Sequence, residues 1–383
     1  SDVPNLRFPE FQGEWEKCIL GDITENFNLR NKDKIQYPMF SVTNDRGFVP
    51  QSEQFEGRDM VGEDIKAYKI IHTNDFAYNP ARINVGSIAI YTGEKPCMIS
   101  SLYVCFKTTK EVNNEWLMQL LKTPKMNYYY NVNGEGGVRV YLFYPNFARI
   151  RMSIPKIEEQ KKIAKLLNLI DERIATQNKI IEDLKKLKSA IIEIEYTPNT
   201  KTTSHIGDVI EQISKRNKNN AIKNVLSVSN RQGFIKQSDQ FENRNVASED
   251  TSNYKIVEQN NFAFNPARIN VGSIARLTTF EKGIVSPMYI CFRTQENVAP
   301  EYIDFFFESK HFYCEIQKRL EGSVRQCLSF EGLCNIPFSL PSLEMQQRIG
   351  KRLFTLGQKI KTETDLLELL NKQKLYLLRQ MFI

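Results

Sequence analysis

A stretch of eleven residues that occurs twice constrains this chain more than any other feature of its sequence. Residues 79–89 are Asn-Pro-Ala-Arg-Ile-Asn-Val-Gly-Ser-Ile-Ala, and the same letters return at residues 265–275, an offset of 186. Shorter matches keep that offset, among them Gly21-Asp22 with Gly207-Asp208, and no gap is needed anywhere. Because the offset is close to half of the 383 residues, the sequence predicts two tandem copies of one folded unit.

Each copy has the pattern of a mixed α/β domain followed by one long helix. In the first copy a helical pattern covers residues 114–122. Segments rich in β-branched and aromatic residues predict strands at 39–43, 76–78, 87–91, 101–107 and 140–144. The fold class is therefore α/β. The predicted divisions are a first domain at 1–153, its helix at 154–197, a second domain at 198–339 and its helix at 340–383.

The two long helices carry apolar residues at alternating spacings of four and three, which is typical of helices that pack on another helix. Gln177 and Glu363 interrupt this seam at equivalent places, and such polar residues favour one fixed register. The seam residues are Ile163, Leu167, Ile170, Ile174, Gln177, Ile181 and Leu184, then Ile349, Leu353, Leu356, Ile360, Glu363, Leu367 and Leu370. We infer that the helices pair with each other. The spacing alone leaves parallel and antiparallel pairing open.

Composition limits the classes of function. Seven cysteines without a Cys-x-x-Cys pair predict reduced thiols and a cytoplasmic location. The longest apolar runs are far shorter than a membrane span. The formal net charge of +7 is compatible with a polyanionic partner but is common among soluble proteins.

No catalytic or metal-binding pattern is shared by the two copies. His72, His205 and His311 have no histidine at their equivalent positions. His311 with Cys314, Cys327 and Cys334 could be drawn as a zinc site, but their spacing is irregular and the other copy lacks the ligands. The repeated Asn-Pro-Ala-Arg also differs from the Asn-Pro-Pro-aromatic motif of amino-methyltransferases. The sequence therefore predicts a chain without catalytic residues and without a metal.

Arginine, lysine and asparagine residues at matching places in the two copies are the candidate contacts to DNA. The repeated stretch has two open interpretations: it builds the fold, or it presents arginine and asparagine donors to phosphates and base edges. Positions that differ between the copies are candidates for contacting different bases. The candidate residues are Arg30, Lys32, Asn44, Arg46, Arg58, Arg82, Asn84, Arg139, Arg216, Lys218, Asn230, Arg231, Arg244, Arg268, Asn270 and Arg325.

The junctions between domain and helix carry a family resemblance. Residues 154–164, Ile-Pro-Lys-Ile-Glu-Glu-Gln-Lys-Lys-Ile-Ala, are similar to the junction in DNA specificity subunits of type I restriction–modification systems. Residues 340–350 match with two departures, Met345 for Glu and Gly350 for Ala. The entry segment 15–23 and the glycine-rich loop 133–139 also fit. The resemblance covers essentially the whole chain, including the domain order.

The resemblance implies two target-recognition domains, each contacting one half of a bipartite target in double-stranded DNA. It implies that the helices form an antiparallel coiled coil, which sets the spacing of the half-sites and helps to dock two methyltransferase (modification) subunits. Two restriction subunits complete the enzyme, and S-adenosylmethionine, ATP and Mg are expected on the partner subunits rather than on this chain. Two alternatives stay open: a specificity subunit of a fused methylase–nuclease system, and a structural coiled-coil adaptor.

Overall fold

The computed structural model describes residues 3–54, 65–137, 139–197, 204–230, 232–240, 250–322 and 326–383. The chain forms two compact units. The first comprises residues 1–178 together with 366–383, and the second comprises residues 179–365. Each unit therefore holds one domain and segments of both long helices.

The first domain is built from short strands and short helices. The strands are β1 (Glu16–Ile19), β2 (Thr24–Phe27), β3 (Phe40–Thr43), β4 (Gly47–Pro50), β5 (Lys69–Ile71), β6 (Phe76–Tyr78), β7 (Ile88–Ile90), β8 (Cys97–Ile99), β9 (Val104–Thr108) and β10 (Arg151–Ile154). The helices are α1 (Leu20–Ile23), α2 (Gln51–Gln54), α3 (Asn114–Leu121), α4 (Pro124–Asn133) and α5 (Tyr144–Ala148). The first long helix, α6 (Ile157–Tyr196), follows.

The second domain repeats most of this order. Its strands are β11 (Ile210–Ile213), β12 (Val225–Ser229), β13 (Gly233–Lys236), β14 (Lys255–Glu258), β15 (Phe262–Phe264), β16 (Ile274–Arg276), β17 (Lys282–Val285) and β18 (Ile290–Thr294). Its helices are α7 (Gln237–Gln240), α8 (Pro300–Phe306), α9 (Lys310–Gln317) and α10 (Phe330–Cys334), and the second long helix is α11 (Leu343–Met381).

Each domain is built around a four-stranded antiparallel sheet with the same strand order. The order is β2-β9-β6-β7 in the first domain and β11-β18-β15-β16 in the second. Phenylalanine rings pair across the two central strands of each sheet, with centroids 4.9 Å apart for Phe76–Phe106 and 5.1 Å apart for Phe262–Phe292. The predicted α/β class with two repeated domains is confirmed.

Both long helices contribute side chains to each domain core. In the first unit, Ile163 and Leu167 of α6 share a buried cluster with Leu378 and Met381 of α11. The start of one helix therefore packs beside the end of the other. In the second unit, Ile192 near the end of α6 shares a buried cluster with Ile349 and Leu353 near the start of α11, so a helix end again packs beside a helix start.

Ion pairs show the same order. Asp171 accepts a bond from Lys374 in the first unit, and Glu195 lies 3.5 Å from Arg352 in the second. Residue numbers rise along one helix as they fall along its neighbour, which is antiparallel packing. The parallel alternative therefore does not describe either unit.

The burial of the predicted seam is uneven. The buried members are Ile163, Leu167, Ile170, Gln177, Ile181, Ile349, Leu353 and Leu370, and the half-buried ones are Ile174, Leu184, Leu356, Ile360, Glu363 and Leu367. The pattern did not predict the burial of Ile192 and Leu378. Ile192 packs into the core of the second domain and Leu378 into that of the first, although neither lies at a predicted seam position.

One predicted strand is wrong. Residues 140–144 make a single bridge, between Tyr141 and Glu135, and α5 begins at Tyr144. Pro145 lies in the first turn of that helix, where its fixed φ suits helical geometry and its missing N–H costs no hydrogen bond. The alternating apolar residues that suggested a strand instead place Leu142 in the core.

Two equivalent cysteines give a testable expectation. Cys105 in β9 and Cys291 in β18 are fully buried, and burial raises the pKa of each thiol to about 12. At pH 8 only about one such thiol in 10⁴ is ionised, and the thiolate is the reactive form. We expect iodoacetamide to alkylate the exposed Cys314 in the native protein and to spare Cys105 and Cys291. Peptide mass spectrometry measures this, and early labelling of either buried cysteine would contradict it.

Candidate nucleic-acid interface

The repeated eleven residues form the same turn in both domains. The amide side chain of Asn79 accepts a hydrogen bond from the N–H of Ala81 at 3.0 Å, and Asn265 does the same for Ala267 at 3.1 Å. A turn of 3-10 helix follows, at Ile83–Val85 and at Ile269–Val271. These bonds are local, so identical sequence produces identical geometry.

A glycine and a serine close this turn against a neighbouring strand. Gly86 has φ +101° and Gly272 has φ +87°, a left-handed conformation that glycine adopts without steric cost. The next residue is a buried serine whose hydroxyl donates to a carbonyl of the neighbouring strand, from Ser87 to Val42 at 2.8 Å and from Ser273 to Val228 at 3.1 Å. These residues have a structural role.

The same turn brings predicted contact residues together. A Cβ built on Gly86 would lie 3.4 Å from the backbone oxygen of Asn44, and one built on Gly272 would lie 3.7 Å from Cβ of Asn230. The exposed Asn44 and Asn230 therefore lie beside the motif that carries Arg82 and Arg268. The cluster of the first domain is therefore repeated in the second domain by the residues at the equivalent positions, 186 further along the chain.

Both motif arginines lie at the protein surface. Arg82 and Arg268 are exposed, and neither guanidinium makes a hydrogen bond or an ion pair to a residue that the structure describes. Asn84 donates to Asn131 of α4 at 3.0 Å, which holds its amide in one orientation. Asn79, Gly86 and Ser87 therefore build the turn, and Arg82 is exposed beside it.

Two clefts flank Arg82 in the first unit. One, of about 520 Å³, is lined by residues of β3 and its turn, including Asn44, with Asn79, Arg82 and Tyr103. The other, of about 750 Å³, has Arg82, Asn84 and Arg139 together with apolar side chains. The structure therefore joins Asn44, Arg82, Asn84 and Arg139 in one continuous surface.

The Arg-Asn-Lys segments form a second basic locus in each domain. The middle asparagine is buried and bonds the backbone ahead of it, from Asn31 to Ile35 and from Asn217 to Ile222. The flanking residues are exposed: Arg30 and Lys32 in the first domain, Arg216 and Lys218 in the second.

In the second unit this locus opens into a cleft of about 750 Å³. Arg216 and Lys218 line it with Lys215 and Lys282, two lysines that the sequence did not single out. Four cations around one concavity suit a phosphate backbone.

The other candidates differ in position. Arg46 is exposed next to Asn44 and lies 3.6 Å from Glu53, while Asn270 is half-buried within the second motif. The remaining four lie outside the described residues: Arg58, Arg231, Arg244 and Arg325.

Sequence reasoning missed two equivalent exposed apolar residues, one of which lines a cleft of this surface. Leu102 lines the cleft of Arg82, Asn84 and Arg139, and its side chain is 76% exposed. The equivalent residue of the second domain, Met288, is 61% exposed. Leucine and methionine are usually buried, so residue type alone predicts a place in the core. The one available signal in the sequence was an apolar residue at this position in both copies.

Across the described part of the chain, no group of three or more His, Cys, Asp and Glu side chains could hold a metal ion. Within the same limits, no helix has the length and apolar character that a membrane span requires.

The fold and the surface define a class of protein: a duplicated α/β binding protein that presents equivalent basic clusters. The family model described as "Type I restriction modification DNA specificity domain" matches residues 12–186 and again 198–372. The chain therefore belongs to the type I restriction–modification DNA specificity family. It is a non-catalytic subunit, as specificity subunits of these systems are. The family implies DNA and other restriction–modification subunits as partners.

Two curated relatives from Methanocaldococcus jannaschii resemble the chain over almost its full length. The putative type I restriction enzyme MjaX specificity subunit is 24% identical, over 95% of this chain and 90% of the relative. The type I restriction enzyme MjaVIII specificity subunit is 24% identical, over 97% and 92%.

Solved structures share the fold at lower identity. The S subunit of a type I restriction–modification system from M. genitalium superposes with a TM-score of 0.60 at 13% identity, over 100% of this chain and 99% of that one. A chain from a study of complex assembly and conformational transition of the type I R-M system has a TM-score of 0.55, also at 13% identity, over 95% and 96%.

Proposed function

We propose that each domain of this specificity subunit contacts one half of a bipartite DNA target. One observation carries the proposal: both domains build the same exposed arginine–asparagine cluster from the same backbone turn. Arginine forms paired hydrogen bonds to guanine edges or to phosphates, and asparagine forms them to adenine. A cluster that occurs twice suits a target that has two parts.

The contact residues that we propose fall into two sets. Arg82, Asn84 and Asn44, with Arg268, Asn270 and Asn230, approach base edges. The Arg-Asn-Lys loci contact phosphates, because their arginine and lysine residues are exposed and those of the second domain line an open cleft. Arg46, Arg139 and the four candidates outside the described residues complete the proposed surface.

The long helices are proposed to fix the spacing of the half-sites and to help dock two methyltransferase subunits, with two restriction subunits completing the enzyme. The segments proposed for this role are those predicted from the sequence, residues 154–197 and 340–383. S-adenosylmethionine, ATP and Mg would then bind to the partner subunits. The work of such a complex on chromosomal DNA suits a cytoplasmic location.

We further propose that the two half-sites are related sequences in inverted orientation. The two domains align without a gap and share the whole motif, so similar surfaces should select similar bases. The domains also differ at Asp45-Arg46 and the equivalent Arg231-Gln232, which predicts at least one base pair that is not shared.

A single-molecule map of DNA methylation in the host, with and without this gene, tests the proposal. We expect one bipartite motif to lose its methylation on deletion and to regain it on complementation. If the two halves of that motif were unrelated after one is reverse-complemented, the inverted-repeat prediction would fail. An unchanged map, with the partner methyltransferase expressed, would favour the coiled-coil adaptor. A partner that joins nuclease and methyltransferase motifs in one chain would favour the fused system.

A further inference from the structure

Leu102 and Met288 lie exposed in equivalent turns of the two domains. The N–H of Tyr103 bonds the carbonyl of Ser100 at 3.2 Å, and the N–H of Tyr289 bonds the carbonyl of Ser286 at 3.1 Å. Each turn thus places its apolar residue just before the tyrosine. A single exposed leucine is ordinary on a protein surface. An exposed apolar side chain recurs at this turn in both copies although the residue differs, leucine in one and methionine in the other.

Two further bonds hold each turn in place. The hydroxyl of Tyr103 accepts from the N–H of Val42 at 3.1 Å, and its carbonyl accepts from the ammonium of Lys69 at 2.6 Å. Tyr289 accepts from Val228 at 3.3 Å and from Lys255 at 2.6 Å. The backbone of the turn is therefore tied to two other strands, next to the exposed side chain.

The surroundings of Leu102 are those of a DNA contact. It shares its cleft with Arg82, Asn84 and Arg139, and with the exposed Val85. Val271, the equivalent of Val85, is exposed in the second domain as well. The basic and amide side chains could bind the phosphates and base edges of DNA. The exposed leucine among them could enter the apolar space between stacked bases.

We propose that Leu102 and Met288 insert between adjacent base pairs, one side chain in each half-site. The inference rests on the proposed function, since it requires that each domain lie on duplex DNA. Leucine and methionine are among the side chains that proteins use as wedges, and an inserted wedge partly unstacks one base step. Arg139, which lines the same cleft, would hold a flanking phosphate while the step opens.

Fluorescence of 2-aminopurine tests the proposal in the complete modification complex of this chain with its methyltransferase subunits. The probe replaces each adenine of one half-site in turn, except the methylated adenine, which leaves the stack for the methyl transfer itself. We expect one position to brighten with the wild-type complex and with Leu102→Met. The increase should vanish with Leu102→Ala, and binding should weaken about fivefold. Met288→Ala should remove the increase in the other half-site only.

Val132→Ala serves as the matched control. Val132 is 60% exposed on α4 of the same unit and does not line the clefts described above, so its variant should keep both increases. An increase that persists in Leu102→Ala would overturn the proposal, as would no increase at any position despite tight, sequence-specific binding. Loss of affinity on replacing thymine by uracil, without brightening, would assign Leu102 to a thymine methyl group and would also overturn insertion. A wild-type complex with no sequence preference would refute the proposed function itself.

Discussion

Arg82→Ala is expected to weaken binding of the modification complex to one half-site by roughly tenfold to a hundredfold, because one bidentate arginine–base pair discriminates by about 1–3 kcal/mol. The exposed guanidinium makes no bond to a described residue, so its removal leaves no unpaired partner in the fold. Arg268→Ala should have the same effect on the other half-site. Competition binding with DNA in which only one half-site is changed measures both effects separately.

Two further variants separate base contact from charge. Lysine keeps the charge but lacks the planar pair of donors, so Arg82→Lys should lose discrimination while retaining most of the salt dependence. Arg149→Ala removes an exposed arginine that lines neither cleft of the same unit, and should leave half-site preference unchanged. A uniform loss across all sequences, with the salt slope reduced by about one, would show that Arg82 contacts a phosphate instead of a base.

Phe382→Ala is expected to destabilise the first unit by about 3 kcal/mol, within the usual range for removing a buried phenylalanine. Phe382 follows the end of α11, is 7% exposed and lies with its ring 6.0 Å from that of Trp116. The adjacent Met381 is buried in the same cluster, and the carbonyl of Gln380 accepts a bond from the N–H of Leu6. The last turn of the chain therefore completes the core of the first domain.

Tryptophan fluorescence measures this unit alone. The chain has two tryptophans, Trp15 and Trp116, and both are buried in the first unit. In urea the transition of Phe382→Ala should move to lower denaturant. Tyr376→Ala, on an exposed side chain of the same helix, should leave it in place. Equal midpoints for the two variants would mean that the end of α11 does not hold the first domain together.

Much of the local structure was predictable because it depends on neighbours in sequence. The strand at Phe76–Tyr78 and the helix at Asn114–Leu121 agree with their apolar patterns to within a residue. The strand predicted at 140–144 is wrong because an alternation of apolar residues is not specific to strands. Here it places Leu142 in the core just before a helix that has Pro145 in its first turn. A structural role for Gly86 was predictable from the sequence, but its close approach to Asn44 was not, because that approach depends on a distant strand.

The sequence by itself determined the duplication, the α/β class, the two long helices and the family. Each of these follows from the repeat offset, from the spacing of apolar residues or from a sequence motif. None of them requires knowing which distant residues are in contact. Only the tertiary structure decided that the helices pack antiparallel within each unit, that the last residues of the chain enter the first core, and that Asn44 lies beside Arg82. Only the structure shows that Leu102 and Met288 are exposed. Such contacts depend on how long stretches of chain close and on which apolar surfaces are covered, and residue type and spacing do not specify either.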